Sequence, residues 1–280
     1  MTDTPSKTST PDLLDQPYTI TDSQIARFAE DGFIKLSKVF DQATLDAYAP
    51  TITELAFELN PNKNTDLDQL DTYGKAFIQV TNLWRNSQTV QRFTFSKRLA
   101  GIATALLGTK GVRMYHDQAL YKESGGGFTP WHADQQYWPL ASSLCVTAWV
   151  PLHAVPIEMG PLCFARGSHL KKIGRDLEIS DDSQILIEQQ IKGQKLLEVQ
   201  EPFALGDVSF HLGWTLHRAG PNTTGQARKV QTVIYIDRDM HLAEPKNQNQ
   251  KNDWDSWSPS TKVGEVMADE LNPVLFEVGV

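Results

Sequence analysis

Apolar residues near the start of the chain recur at the spacing of an amphipathic helix. This spacing predicts a first helix that begins at Thr21 or Asp22, either of which can cap it, and that ends before Gly32. Residues 32–40 then alternate between apolar and polar side chains, a pattern typical of a half-buried strand. A second helix is predicted from about Asp41, where helical spacing resumes.

The pattern changes from helices to short strands near residue 111. Before that point, residues 60–74 are polar and acidic and predict a mobile loop, and residues 87–107 predict one or two helices. Residues 181–191 are expected to form a helical or irregular excursion within the β section. The predicted strands are Val112–Lys122, Leu144–Leu152, Leu162–Ala165, Lys195–Val199, Asp207–Phe210 and Lys229–Asp237. Many short strands without regular alternation with helices favour a mainly β antiparallel sandwich or jelly roll, with the early helices packed outside it.

Composition and charge exclude several classes of protein. The chain has 26 basic and 34 acidic side chains, a net charge of −8, which disfavours nucleic acid as a partner. A continuous apolar run of membrane-spanning length does not occur, so no membrane association is expected. The first 17 residues lack the basic and apolar regions of a secretory signal. Cys145 and Cys163 lack metal or redox spacing and are interpreted as buried thiols in a reducing cytoplasm.

A His-x-Asp triplet, His132-Ala133-Asp134, is the sharpest local signal for chemistry. In an extended segment residues i and i+2 point to the same face, so the imidazole and the carboxylate can bind one metal ion. The triplet is common by chance, and a partly exposed histidine beside a loop carboxylate is the alternative interpretation.

A second cluster strengthens the metal interpretation. If His217 closes one strand and residues 229–237 form the next, the turn at residues 220–225 lets His217 and Arg228 face one cavity. Two histidines and one carboxylate form a facial triad, which leaves three positions of an octahedral Fe(II) for a chelating cosubstrate and dioxygen. The planar guanidinium of Arg228 suits a carboxylate at the far end of that cosubstrate.

From about Ile20 to its C-terminus, the sequence resembles the phytanoyl-CoA dioxygenase family of Fe(II)/2-oxoglutarate-dependent oxygenases. The resemblance rests on Trp131-His-Ala-Asp134, on Met159-Gly-Pro-Leu-Cys-Phe-Ala-Arg-Gly-Ser-His169, and on His217 followed by Gly220-Pro-Asn222 and Arg228. It implies a double-stranded β-helix, a cupin-like jelly roll. It also implies that His132, Asp134 and His217 bind iron, and that Arg228 holds the distal carboxylate of 2-oxoglutarate.

Further cosubstrate contacts are predicted on two strands. Even-numbered positions of residues 112–122 share a face, so Met114, Gln118 and Lys122 are candidate pocket residues. The family resemblance points the same way, most clearly for Gln118, and Trp149 matches a family position near the cosubstrate. Core packing or a position on the sheet surface is the alternative for each of these four residues.

Three more features concern the substrate and the histidines outside the triad. Tyr137 and Trp138 follow the metal motif and are predicted to contact substrate at the cavity mouth. Residues 247–262 suit a loop that closes over substrate, or a surface excursion. His211 is expected beside the metal ligands, because only His217 has an arginine at the spacing that the family pattern requires. His169 is expected to fix its loop.

The predicted function is hydroxylation of an unactivated carbon in a small organic metabolite, with 2-oxoglutarate and O2 converted to succinate and CO2. The same iron chemistry giving desaturation or cyclisation is one alternative; a non-oxidative lyase or isomerase, or a catalytically silent binding protein, is another. The predicted organisation is a flexible tail (1–20) and one dioxygenase domain (21–280). That domain comprises a helical part (21–110), a jelly-roll core (111–240) and a C-terminal lid or extension (241–280). The sequence sets neither the substrate nor the oligomeric state.

Overall fold

Two antiparallel β-sheets lie face to face at the centre of the fold. The computed structural model describes residues 13–63, 65, 74 and 77–279. The larger sheet has the strand order β1-β8-β5-β10-β3-β11, with β2 also pairing with β3, and the smaller sheet has the order β4-β9-β6-β7. The strands are β1 Phe33–Leu36, β2 Ile78–Thr81, β3 Gly111–Lys122, β4 Thr129–His132, β5 Cys145–Pro151, β6 Leu162–Ala165, β7 Glu198–Gln200, β8 Val208–Leu212, β9 His217–Ala219, β10 Arg228–Asp237 and β11 Val274–Glu277.

Four helices cover the outer face of the larger sheet: α1 Asp22–Asp31, α2 Gln42–Glu58, α3 Gln88–Thr94 and α4 Lys97–Leu107. Helix α5, Asp181–Gly193, packs against β4 of the smaller sheet, and α6, Gln248–Trp257, contacts the 3-10 turn that follows β4. Helical and strand side chains share one buried apolar cluster, which includes Leu45, Ile52, Phe93, Leu99, Val146, Ala148, Val208 and Phe210. The prediction of a mainly β double-sheet fold with the early helices packed outside is confirmed.

The first helix begins and ends where the sequence predicted. The Thr21 side chain accepts a hydrogen bond from the Gln24 backbone, and the Gln24 side chain accepts one from the Thr21 backbone, which makes Thr21 the cap. Gly32 ends the helix in the left-handed region at φ 84°. A Cβ at Gly32 would lie 2.3 Å from Nδ1 of His169. His169 therefore packs against this turn, in the loop-fixing position expected for it.

Alternation along β5 and β8 decides which side chains face the second sheet. Val146 and Ala148 point toward the helices, whereas Thr147 and Trp149 point the other way. Between the two sheets, Phe33 stacks on Phe164 with ring centroids 4.3 Å apart. The space between the sheets is thus lined by apolar side chains and by polar side chains from the inner face of the larger sheet.

Strict alternation fails in β3, and this corrects one prediction. The pairing of β3 with β10 shifts between Ile234, opposite His116, and Tyr235, opposite Met114. Tyr115 is the extra residue of this bulge, and an extra residue reverses which positions face inward. Met114 consequently packs in the core beneath the helices and does not line the cavity between the sheets.

The predicted flexible tail is too long. Leu14 is fully buried, and its carbonyl accepts a hydrogen bond from the Ser96 hydroxyl. Arg98 donates to the carbonyls of Gln16 and Pro17. Residues 13–17 are therefore part of the packed structure, whereas residues 1–12 and most of the predicted 60–74 loop lie outside the described residues. Among the described residues, no helix combines the length and apolarity needed to cross a membrane.

Candidate metal centre

Three potential metal ligands meet between the two sheets. His132 is the last residue of β4, and its Cα partner on β9 is His217. Asp134 follows two residues later, at the start of a 3-10 turn, after Ala133 in an extended conformation. Asp134 Oδ1 lies 3.6 Å from His132 Nε2 and 3.5 Å from His217 Nε2. One ligand atom from each residue falls within 4.8 Å of the others, which places the three groups around one point.

Backbone carbonyls fix the orientation of both imidazoles. Nδ1 of His132 lies 2.8 Å from the Pro130 carbonyl oxygen, and Nδ1 of His217 lies 3.0 Å from the Thr215 carbonyl oxygen. A carbonyl only accepts, so each Nδ1 carries the proton and each Nε2 presents a lone pair toward Asp134. This is the arrangement in which histidines bind metals, with the distal N–H held by an acceptor.

The second oxygen of Asp134 is held by two donors. The Thr147 hydroxyl donates to Oδ2 at 3.1 Å, and His211 Nε2 lies 3.2 Å from the same oxygen. These contacts leave Oδ1 directed at the two histidines. His211 therefore lies beside the metal ligands, as the sequence predicted, and positions the carboxylate.

Burial and neighbouring groups set the protonation states of the three residues. Burial lowers the pKa of both His132 and His217 to about 4, so both rings are neutral at pH 7. Burial alone would raise the pKa of Asp134, but His217, His211 and His132 outweigh it and bring that pKa well below its ordinary value. Two neutral imidazoles and one carboxylate are the protonation states that metal binding requires.

Arg228 provides a buried cation at another part of the same cavity. It is the first residue of β10, is 2% exposed, and lies over the Trp149 ring at 5.4 Å. Burial lowers its pKa to about 10, so it stays charged at neutral pH. Its Nη1 donates to the Gly160 carbonyl, and its Nε has no hydrogen-bond partner among the described residues. The guanidinium thus retains donor capacity for an anionic ligand.

A close contact between two loops explains why glycine occurs in the Met159–His169 motif. Gly160 has φ +67°, and a Cβ there would lie 2.2 Å from the Gly220 carbonyl oxygen. Only glycine fits this backbone conformation and this approach. The amide nitrogen of Asn222 lies within hydrogen-bond distance of the carbonyls of Lys122, Glu123 and Gln226, which fixes the neighbouring turn. The loops beside Arg228 are therefore held together by the residues that the sequence singled out.

The remaining predicted site residues divide into two groups. Gln118, Trp149 and Trp138 line the cavity. Lys122 does not; its Nζ donates to the carbonyls of Gly127, at 2.6 Å, and Gly220, at 2.8 Å.

Tyr137 also lies outside the cavity lining. Its hydroxyl accepts a hydrogen bond from the Ile179 backbone at 2.7 Å. Lys122 and Tyr137 thus tie loops together, a role that position in the sequence does not distinguish from ligand contact.

The structure adds residues that sequence reasoning did not place in the site. Thr147 holds Asp134, and its position two residues before Trp149 on one predicted strand, hence on the same face, was the signal that could have identified it. The predicted loop at 247–262 contains helix α6, whose Trp257 stacks on the buried His116. The other cavity-lining residues are Phe77, Leu120, Thr129, Leu162, Ala219, Thr232 and Ile234.

Comparison with known proteins yields one family and one curated relative. The sequence model of the phytanoyl-CoA dioxygenase (PhyH) family matches residues 28–230. The methylphosphonate hydroxylase of Gimesia maris is 22% identical over 218 residues, which are 78% of this chain and 81% of that protein.

Solved structures with the same fold include enzymes whose names indicate different reactions. SnoK, a non-haem alpha-ketoglutarate-dependent carbocyclase from nogalamycin biosynthesis, is 23% identical, with a TM-score of 0.76 over 93% of this chain and 99% of that one. The epimerase SnoN, solved with Fe3+, alpha-ketoglutarate and nogalamycin RO, is 23% identical, with a TM-score of 0.74 over 91% and 98%. EctD from S. alaskensis, solved with 2-oxoglutarate and 5-hydroxyectoine, is 20% identical, with a TM-score of 0.63 over 84% of each chain. These likenesses establish a common fold.

Proposed function

The chain belongs to the phytanoyl-CoA dioxygenase family, and from this membership and its metal centre we propose that it is a non-haem Fe(II)/2-oxoglutarate-dependent dioxygenase. One observation carries the proposal. His132, Asp134 and His217 present their ligand atoms to one point, while the buried, positively charged Arg228 keeps donor capacity in the same cavity. The overall reaction takes substrate, 2-oxoglutarate and O2 to hydroxylated substrate, succinate and CO2.

The donor set fits a ferrous ion. Two imidazole nitrogens and one carboxylate oxygen form the 2-His-1-carboxylate facial triad typical of non-haem Fe(II) oxygenases. When bound, iron and 2-oxoglutarate supply the oxidative chemistry, and the protein supplies binding and orientation. Arg228 then neutralises the carboxylate remote from the metal, and its planar donors fix that carboxylate in one orientation.

The same residues weigh against the non-oxidative alternatives. A lyase or isomerase that used only the metal would have no use for a buried guanidinium in the cavity wall. Asp134 is present in the triad, and in related halogenases the corresponding carboxylate is vacated for chloride. Hydroxylation of a small organic molecule is therefore the favoured outcome, and the name of the curated relative is that of a hydroxylase.

Cyclisation or epimerisation is the second candidate. Structures of a carbocyclase and an epimerase share this fold over more than nine-tenths of the chain. Both outcomes begin from the same oxidative step, so they share the metal and cosubstrate requirements proposed here. Product analysis, and not cofactor dependence, separates them from hydroxylation.

Cosubstrate turnover tests the proposal. Anaerobically prepared protein is given Fe(II) and 2-oxoglutarate, exposed to O2 with a panel of small organic metabolites, and assayed for succinate. We expect succinate to form only with metal, 2-oxoglutarate and O2 together, and Asp134→Ala to abolish its formation while circular dichroism stays unchanged. Undiminished succinate formation in Asp134→Ala would remove the triad from the mechanism.

The arginine clamp has its own test. Arg228→Ala should weaken 2-oxoglutarate binding by about 2 to 5 kcal/mol, the range for truncating one partner of a buried charge pair. Arg218→Ala is the matched control, because Arg218 pairs with Glu198 instead of lining the cavity. If Arg228→Ala and Arg218→Ala change the affinity equally, the clamp assignment is wrong.

A further inference from the structure

A small slot opens between the two sheets at one edge of the molecule, next to the metal cavity. Its walls include residues of β1, the end strand of the larger sheet, and of β7, the end strand of the smaller sheet. The slot encloses about 480 Å³, its open end included. A water molecule takes roughly 30 Å³ of liquid, so a small molecule fits inside.

The inner walls of the slot are apolar and buried. Phe33, Phe164 and Phe203 are 7%, 4% and 4% exposed, and they belong to one apolar cluster together with Leu162. Val199 of β7 packs against the same cluster and lines the slot. Cavities with apolar walls do not hold water well and take up apolar atoms and small apolar molecules instead.

The charged side chains that line the slot pair with neighbouring groups. Lys35 Nζ lies 2.9 Å from Glu201 Oε2 and donates to the Pro202 carbonyl at 2.9 Å. Arg27 Nε lies 3.3 Å from Asp31 Oδ2. A charged ligand would have to compete with these pairs, so the slot favours an uncharged, apolar molecule.

Strand register places the slot beside the metal centre. Phe164 of β6 is the Cα partner of His217 on β9, and Phe33 of β1 is the Cα partner of His211 on β8. Paired strands lie about 4.8 Å apart. The Phe164 ring centroid is 5.5 Å from that of His211 and 6.2 Å from that of His217. The aromatic walls of the slot are therefore direct neighbours of a metal ligand and of the histidine that holds Asp134.

One side chain, Leu162, is shared by the slot and the metal cavity, because it lines both. Its Cα partner on β9 is Ala219, which also lines the metal cavity. The neighbour of Leu162 on this side is thus only a methyl group. Leu162 forms the partition between the two spaces.

The slot lies at the opposite end of the larger sheet from the wall that carries Gln118. Strands β8, β5 and β10 separate β1 from β3, on which Gln118 lies. Trp138 packs edge-on against Tyr115 of β3, and Arg228 begins β10. A molecule that reaches the metal through the slot does not have to pass a cosubstrate at Arg228 or a substrate beside Trp138.

We propose that this slot is an access site for dioxygen, in which the gas accumulates and from which it reaches the metal past Leu162. Dioxygen is small, uncharged and apolar, as the walls require. Side chains in packed cores still change rotamer, and such a change at Leu162 connects the slot to the metal cavity. The inference rests on the proposed function, since it takes the triad as the place where dioxygen is consumed.

Dioxygen is paramagnetic and speeds the nuclear relaxation of methyl groups that it touches, so it reports its own location. Protein carrying Zn(II) in place of iron, with 2-oxoglutarate and 13C-labelled valine and leucine methyls, is measured by NMR under nitrogen and under oxygen. The reference is Val274, which is 40% exposed on the end strand β11. We expect oxygen to relax the Val199 and Leu162 methyls about tenfold more than those of Val274, the factor for burying an apolar molecule the size of two methylene groups.

Three variants test whether the slot serves the metal centre. Val199→Trp fills the slot from β7 and should raise the KM for O2 about tenfold, because the local accumulation is lost. The affinity for 2-oxoglutarate and kcat at saturating O2 should stay unchanged. Val199→Ala leaves the slot open and should keep the wild-type KM for O2. Val274→Trp, the same added bulk on another end strand, is the matched control and should also keep it.

The outcomes separate this inference from the proposed reaction. Val199 and Leu162 methyls that relax no more than those of Val274 would overturn the gas site, and this measurement on the wild type decides even if Val199→Trp does not fold. An unchanged KM for O2 in folded Val199→Trp would overturn the access route. The relaxation measurement needs neither iron nor turnover. Protein that shows the expected relaxation but forms no succinate would contradict the proposed reaction and leave the gas site assigned.

Discussion

The two carboxylate oxygens of Asp134 make different contacts, and neighbouring side chains fix which oxygen makes which contact. Thr147 and His211 hold Oδ2, while Oδ1 faces the Nε2 atoms of His132 and His217. A carboxylate fixed in this way offers one oxygen to a metal without having to reorient. The contact with Thr147 is therefore expected to contribute to metal affinity although Thr147 is not itself a ligand.

Thr147→Val tests this contribution. Loss of the hydroxyl should weaken metal binding about 10- to 100-fold, the effect of removing a partner that orients a metal ligand. Metal titration followed by enzyme activity measures it. Thr232→Val is the matched control, because the Thr232 hydroxyl lines the same cavity but donates to the Gln118 carbonyl. Similar losses in both variants would mean that Thr147 acts only through packing.

At this scale the sequence predicted which residues meet at the candidate metal centre but not the side chains that hold them in place. The facial triad and Arg228 carry recognisable spacing, and the structure brings them into one cavity. The contact between His211 and Asp134 joins residues 77 positions apart, so no local pattern reveals its geometry. The hydrogen bond between the side chains of Gln79 on β2 and Gln118 on β3 likewise leaves no motif in the sequence.

At the scale of secondary-structure elements, the regularity of a strand decides whether alternation predicts which side chains face the cavity. On β5, which is regular, Thr147 and Trp149 face the cavity together as alternation requires. The same rule failed on β3, because the bulge at Tyr115 reverses the inward face between Met114 and Gln118. A single inserted residue changes neither composition nor apolar content, so the hydrophobic pattern does not show it.

Lys122 is a second residue whose contacts the strand pattern does not show. Its burial leads to a testable prediction. Burial, together with the nearby charge of Arg228, lowers its pKa from 10.5 to about 6. Between these values the unfolded amine binds a proton and the folded amine does not, so stability rises with pH in that interval. In Lys122→Met this rise should be smaller, as measured by urea unfolding at a series of pH values. Lys192→Met, at an exposed lysine, serves as control. Parallel curves for wild type and Lys122→Met would contradict the assignment.

Helix α6 is attached to the sheet by a buried pair, Tyr115 on β3 and Asp253 on the helix. Burial raises the pKa of Asp253 well above its ordinary value, and the Tyr115 hydroxyl bonds to it. A double-mutant cycle with Tyr115→Phe and Asp253→Asn should give a coupling of about 1–3 kcal/mol in the free energy of unfolding. Additive effects would show that the pair does not hold the helix. This segment was predicted to be a loop that closes over substrate, or a surface excursion, whereas its helix packs through Gln250, Asp253, Trp254 and Trp257.

At the scale of the whole molecule, the candidate site joins the two sheets. His132 and His217 lie on the smaller sheet, whereas Thr147, Gln118 and Arg228 lie on the larger one. A metal and a cosubstrate bound between them would connect both sheets in the folded state only. The short-strand pattern predicted this double-sheet architecture, whereas the pairing order of the strands required the structure.

Thermal unfolding should report this connection. Ligands that bind only the folded state at about 100 times their dissociation constant stabilise it by about 2.7 kcal/mol. We expect Fe(II) with 2-oxoglutarate, added without oxygen, to raise the melting temperature of the wild type. His217→Ala should show no such rise. An equal rise in that variant would mean that the metal stabilises the fold from another place.

The central claim is that the triad and Arg228 together bind Fe(II) and 2-oxoglutarate, and anaerobic absorption spectroscopy tests it most directly. A 2-oxo acid chelated to Fe(II) gives a weak charge-transfer band in the visible. We predict that the band appears when both are added to the wild type, requires a higher 2-oxoglutarate concentration in Arg228→Ala, and is absent in His132→Ala. Folded wild-type protein that gives no band with excess Fe(II) and 2-oxoglutarate would contradict the account.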